Sequence, residues 1–305
     1  MQKLSTKYLI TKMKRFGTFK IILSPHITKK SKKFGKTFRS FDGASIYYEY
    51  WKTKTKKTPF VFVHGLSGNL TGWKKIARHF YRQGHSCLFM DIRGHGYSDY
   101  SLPLKKYTIA SASNDLEVIV RREKISKAVI FAHCFGSLIA VEFAYRNAKC
   151  VEKLILFSPG LKPKDSHRVR IGGKIALSAL SAIKPLWKKA GKYPRQINLQ
   201  KTRGRMDVDL YTVNDFSSMD PDIYLKYFSE LLEFNAMPHF LKLKIPILIL
   251  HGKKDIIFNY ISSYKLASEA SNMEFVLLPD VNHHVPINAA MDCIKFIENF
   301  LSDKQ

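Results

Sequence analysis

Val129-Ile-Phe-Ala-His-Cys134-Phe-Gly-Ser-Leu-Ile-Ala-Val-Glu-Phe-Ala144 runs thirteen residues before its first charged side chain, Glu142, and changes texture halfway. The first part is a short apolar run of the kind that forms a buried strand, and the second continues at once as a helix. A residue at so sharp a strand-to-helix bend projects from the sheet. The unpaired N–H groups and positive end of the helix face the same space. Small neighbours are needed there, and Ala132 and Gly136 flank the central residue, Cys134. Residues 128–145 are apolar enough to suggest a membrane span, but His133, Gly136 and Glu142 interrupt them, so strand then helix is the reading adopted.

On either side of this bend the chain alternates. Ser45 to Trp51, Pro59 to His64, Cys87 to Asp91, Ala128 to His133, Leu154 to Ser158, Pro246 to His251 and Glu274 to Leu278 are the predicted strands. Several are apolar on both faces, as parallel strands covered on both sides must be. Helical patterns fall between them, near 72–83, 110–123, 135–147, 261–270 and 289–302. The fold class expected is α/β, a mostly parallel doubly wound sheet. Residues 161–243 break the alternation and read as a helical insertion, with Ile171 to Lys189 and Asp222 to Phe234 its clearest helices. Placed between two strands at the carboxyl edge of the sheet, it would cover the crevice where ligands bind, as a lid. The organisation predicted is a basic tail over 1–37, core over 38–160, lid over 161–243 and core again over 244–305.

Composition excludes several classes. With 305 residues, 45% hydrophobic, and 28 Pro plus Gly, the chain has enough apolar surface for a large core and is neither disordered throughout nor collagen-like. Its +27 charge is uneven: residues 1–41 carry twelve basic and no acidic side chains, and 161–213 carry thirteen against three. An anionic partner is expected at those two places, and the tail reads as a segment able to lie on an anionic membrane. No helix-turn-helix, RRM or zinc-finger pattern is present, so nucleic acid is not expected. Cys87, Cys134, Cys150 and Cys293 form no CxxC pair and no metal-ligand spacing, so neither a disulfide framework nor a metal is implied. Lysines interrupt the apolar residues of the N-terminus, which lacks a secretory pattern; the location expected is cytoplasmic, peripheral at a membrane surface if the tail binds one.

Ala132-His133-Cys134-Phe135-Gly136 resembles the nucleophile elbow of the α/β-hydrolase superfamily, usually G-x-S-x-G, and departs from it at the first glycine and at the nucleophile. Three further segments match in the superfamily's order: His64-Gly65-Leu66, Asp91-Ile-Arg-Gly-His-Gly-Tyr-Ser98 and Gly252-Lys-Lys-Asp255. The resemblance covers residues 38–302. It implies a catalytic triad of Cys134, Asp255 and a histidine after the last strand, with no cofactor. The histidine lies in Pro279-Asp-Val-Asn-His283-His284-Val-Pro286, where His283 fits a Pro-x-x-Gly-His pattern with Asn282 in place of Gly, and His284 fits a proline two residues on. His283 is preferred and His284 is the alternative base. Adjacent side chains in an extended segment point opposite ways, so only one can serve Cys134. The resemblance also implies an oxyanion hole from the backbone N–H groups of Leu66 and Phe135.

A thiol at a helix N-terminus beside an imidazole loses its proton more readily than one in water, and the thiolate attacks carbonyls. The function expected is hydrolysis of a carboxylic ester or thioester through a covalent acyl-enzyme, on a small or lipid-like acyl substrate. Two alternatives use the same residues differently. An acyltransferase would pass the acyl group to an alcohol or amine, and an inactive binding module on an anionic surface would keep Cys134 only as a small core residue.

Overall fold

The computed structural model describes residues 29–161, 175–182, 184–185, 199 and 219–303. Eight strands pair in one sheet: β1 Gly35–Arg39, β2 Ser45–Trp51, β3 Phe60–Val63, β4 Cys87–Met90, β5 Ala128–His133, β6 Val151–Phe157, β7 Ile247–Gly252 and β8 Met273–Leu278. Their spatial order is β1-β2-β4-β3-β5-β6-β7-β8. β2 is antiparallel to both its neighbours, and the remaining pairs are parallel. The doubly wound sheet read from the alternation is therefore present, with one antiparallel edge.

That edge corrects one expectation. β1 crosses the 37/38 boundary drawn between tail and core, so the last three residues of the tail belong to the sheet. In Gly-Lys-Thr-Phe-Arg only Phe38 is buried, and an edge strand that turns Lys36 and Arg39 to solvent reads as a charged tail in sequence. β6 starts at Val151, ahead of the predicted Leu154, because Glu152 and Lys153 are only half-buried at its entrance.

Helices α1 Lys74–Arg82, α2 Ile109–Arg122, α3 Phe135–Arg146, α4 Pro221–Glu233, α5 Tyr260–Ser268 and α6 Ala290–Ser302 accompany the strands. The period-2 alternation of the strands makes two cores. Val61, Val63, Leu88, Met90, Ile130 and Ala132 meet α2 and α3 on one face. Phe60, Phe62, Phe89 and Phe131 meet α1 and α6 on the other. β4 and β5 lie on opposite sides of β3, so the crossovers α1 and α2 leave in opposite directions. This is a topological switch point, and a crevice opens there at the carboxyl ends of the strands. Residues 128–145 form strand and helix, and among the described residues no helix is long and apolar enough to cross a membrane.

Residues 175–182 and 184–185, α4 and the short helix Met237–Phe240 are the described helical parts of the long connection from β6 to β7. Asp220 caps α4 and Pro221 occupies its first turn. Buried Tyr227 anchors the helix to the core, packing on Phe135 with ring centroids 5.0 Å apart and donating to the Arg93 carbonyl at 3.2 Å. Of the thirteen basic residues counted over 161–213, all but Lys184 lie outside the described residues, Lys188, Lys189, Lys192, Arg195, Lys201, Arg203 and Arg205 among them, as do residues 1–28 of the tail.

Candidate active site

Cys134 stands between β5 and α3 with φ 50° and ψ −119°, a left-handed conformation that side chains other than glycine seldom take. Its N–H donates to the Phe157 carbonyl of β6 at 3.0 Å, and its carbonyl accepts the Ser137 N–H at 3.0 Å. The strained residue is thus held from both sides. Gly136 is required on steric grounds, because a Cβ there would collide with the backbone carbonyls of Val63 and His64. Gly65 is similarly crowded, its missing Cβ lying 2.9 Å from His133 Nδ1 and 3.2 Å from Cys134 Cβ. Two backbone segments therefore close on the thiol, and among the described residues neither the Leu66 nor the Phe135 N–H has an acceptor. Of the two residues implied as an oxyanion hole, Leu66 lines the same cavity as Cys134, and Phe135 directly follows Cys134.

Asp255 follows β7 and has a fully buried carboxylate. Its Oδ1 accepts the N–H groups of Ile257 at 2.8 Å and Phe258 at 3.0 Å. Its Oδ2 accepts His283 Nδ1 at 2.7 Å and meets His251 Nε2 at 3.1 Å. Burial alone would raise the carboxyl pKa, but hydrogen bonds from His251, His283 and the backbone hold it well below the usual carboxylate range. Burial likewise disfavours charge on His283, yet the charge of Cys134 and hydrogen bonds to Asp255 and Cys134 prevail, and its pKa is pushed up to about 10. With Nδ1 committed to Asp255, the other ring nitrogen is left for the hydrogen bond to Cys134. Phe258 and His133 border the ring, with centroids 5.6 and 4.8 Å away.

Of the two adjacent histidines, His283 is the one that meets Asp255. His284 turns to the cavity wall, where burial and then the neighbouring charge of His283 push its pKa down to about 3. Asn282 explains part of this division. Its Oδ1 accepts the His284 N–H at 3.1 Å and the Asn288 amide at 2.8 Å, which folds the chain away after His283. Gly252 permits the arrangement from below, since a Cβ there would collide with the Val281 and Asn282 carbonyls.

Three other imidazoles, buried His64 and His95 and half-buried His133, stand near the site without a bond to its carboxylate. His64 Nδ1 donates to the Gly65 carbonyl at 2.8 Å, and its Nε2 accepts the Ile92 N–H at 3.0 Å. His95 Nδ1 donates to the Arg93 carbonyl at 3.1 Å, and its Nε2 accepts the Ser67 N–H at 3.1 Å. His133 Nε2 donates to the His283 carbonyl at 2.9 Å. Burial holds all three below the ordinary imidazole pKa, His95 at about 4. They are neutral cross-braces between loops. The Asp91 to Ser98 segment is a turn of the same kind: Asp91 accepts the Leu70 and Tyr97 N–H groups, each at 2.9 Å, and Arg93 is buried between Asp42 and Asp115.

A cavity of about 360 Å³ opens over Cys134, His283 and His284. Its wall is mostly apolar, and Leu199, Tyr224, Phe228 and Leu231 of the β6 to β7 connection contribute to it. A volume of this size suits a small ligand or part of a longer chain. The sequence reading assigned no part to His251 or His95. His251 stands four residues before Asp255 in His251-Gly-Lys-Lys-Asp255, a spacing that could have suggested a second donor to the same carboxylate.

The chain is similar in sequence and fold to several known proteins. The Hydrolase_4 family model, described as serine aminopeptidase, S33, matches residues 54–288. The "Probable lysophospholipase L2" of Haemophilus influenzae is 22% identical over 261 residues, covering 79% of this chain and 83% of that protein. The sn-1-specific diacylglycerol lipase ABHD11 of Danio rerio is 31% identical over 128 residues, 41% of this chain and 39% of the relative. Among solved structures, an esterase from Exiguobacterium antarcticum superposes with a TM-score of 0.73 at 15% identity, over 88% of this chain and 100% of the other.

Proposed function

The chain belongs to the Hydrolase_4, serine aminopeptidase S33, family of α/β-hydrolases, and from that premise we propose that it hydrolyses carboxylic esters with lipid-like acyl groups, using Cys134 where the family name implies serine. The observation that carries this reading is His283, buried between Asp255 and Cys134 with its pKa pushed up to about 10 by that company. An imidazole in this position keeps the proton at neutral pH and leaves the sulfur as the nucleophile.

In the proposed reaction the Cys134 sulfur bonds to the ester carbonyl carbon, and the oxygen, now negative, accepts the N–H groups of Leu66 and Phe135. Collapse of this adduct breaks the bond to the alcohol oxygen, which takes the proton from His283. The acyl group remains on sulfur as a thioester. Water then gives a proton to His283 as it attacks the same carbon, and the sulfur departs with the acid released. Asp255 stays ionised throughout and fixes the tautomer and orientation of the ring. A thioester substrate would follow the same path with a thiol leaving.

The lysophospholipase and lipase relatives support a lipid-like ester, as does the apolar wall of the cavity. The insertion over 161–243 acts as the lid in this reading, supported by its four residues in that wall. A cytoplasmic protein peripheral to a membrane fits the basic tail. Incubation with p-nitrophenyl acetate and intact mass measurement test the proposal. An acetyl adduct and nitrophenol release, both lost in Cys134→Ala, are expected; turnover undiminished in Cys134→Ala would overturn it.

A further inference from the structure

Beside the cavity mouth the chain exposes three isoleucines and a tyrosine. Ile256 is 73% exposed, Ile257 39%, Ile261 44% and Tyr264 55%. Ile257 also lines the cavity together with His283 and His284, so the patch begins where the cavity opens. Ile261 and Tyr264 continue it along one side of α5, three residues apart. Exposed apolar patches of this kind mark interaction sites.

The charges around the patch select the partner. Lys253, Lys254 and Lys265 are exposed, against exposed Glu269 at the far end of α5 and Asp255, whose carboxylate is buried. Lys254 also pairs with exposed Asp280 at 2.9 Å just beyond it. The chain as a whole carries +27. A second copy of this protein would bring the same lysines face to face, whereas an anionic lipid surface satisfies both the isoleucines and the lysines.

We propose that Ile256 and Ile261, flanked by Lys253 and Lys265, seat the cavity mouth on an anionic lipid surface, so that a lipid ester passes into the cavity without crossing water. This rests on the ester-hydrolase reading of the cavity. It concerns a surface separate from the basic tail, on the body of the enzyme itself.

The full-length protein and its Ile256→Asp/Ile261→Asp variant are sedimented with vesicles of phosphatidylcholine alone and of equimolar phosphatidylcholine and phosphatidylglycerol, and both are assayed on p-nitrophenyl acetate in solution. The wild type is expected to partition better onto the mixed vesicles. The variant should bind them about tenfold or more weakly, since each aliphatic side chain withdrawn from lipid costs on that scale, with soluble-ester turnover unchanged. Equal partition of wild type and variant overturns the proposal, as does equal binding of the wild type to both vesicle types. A change of oligomeric state in the variant with unchanged vesicle binding also overturns it, in favour of a second copy. Should the charged variant fail to fold, Ile256→Trp supplies an independent reading: its emission should shift to the blue on mixed vesicles, and an unshifted emission counts against the rim. Absence of soluble-ester turnover in the wild type would strike the hydrolase reading instead, while the vesicle measurements would still decide the docking.

Discussion

Two sets of imidazoles stand at the carboxyl ends of the strands and behave in opposite ways. His64, His95 and His133 contact backbone groups, and burial holds them neutral. His283 is buried too but shares Asp255 and Cys134, and its pKa rises to about 10. His64 and His95 are as deeply buried as His283, so the partner decides the charge: a carbonyl leaves an imidazole neutral, and a carboxylate with a thiol favours its protonated form. The acid side of the cleft thus handles charge while the opposite side handles shape.

The contrast breaks if Asp255 can be neutralised without consequence. Asp255→Asn is expected to lower kcat/KM on p-nitrophenyl esters on the order of 10³-fold or more, because the ring loses both its tautomer and its counter-charge. Steady-state kinetics of a folded variant check this, and near-native activity would place His283 among the braces.

Stability against pH sharpens the same comparison. His95 titrates at about 4 when folded and near 6.5 when unfolded, so its contribution is complete above pH 6.5. That contribution drains as pH falls from 6.5 towards 4, where the unfolded chain takes the proton first, and amounts to about 3 kcal/mol. His283 supplies the opposite limb, being raised: its contribution is full below pH 6.5 and lost as pH climbs to about 10. Thermal melts across this range should show a maximum near neutrality, and His95→Gln should flatten the acid limb while leaving the alkaline limb in place. The smallest effect expected is a titration shift. Removing the sulfur in Cys134→Ala takes away the first of the influences that raise His283, so its ring should titrate at lower pH by NMR, and an unmoved titration would dissociate the ring from the thiol.

The fold was legible because alternating short apolar runs and amphipathic stretches leave few arrangements other than a covered parallel sheet. β1 was not, since an edge strand needs only one buried side chain and Lys36 and Arg39 disguise it. In the site, Cys134, Asp255, His283, Leu66 and Phe135 are residues that local motifs single out; Cys134, His283 and Leu66 line one cavity, and Asp255 bonds to His283 behind it. The choice between His283 and His284 depends on a bond to Asp255 across 28 positions, which no local pattern contains. The braces escape notice for the same reason, as His64 and His95 act on backbone groups 28 residues distant. His251 had a local signal in its spacing from Asp255, but only the shared Oδ2 gives that spacing a meaning.

The bond from His133 to the His283 carbonyl has a mechanical consequence. His133 immediately precedes the thiol-bearing residue, so the segment that presents the sulfur also grips the segment that presents the ring. A displacement of either segment is thereby passed to the other, which ties the position of the sulfur to that of the ring.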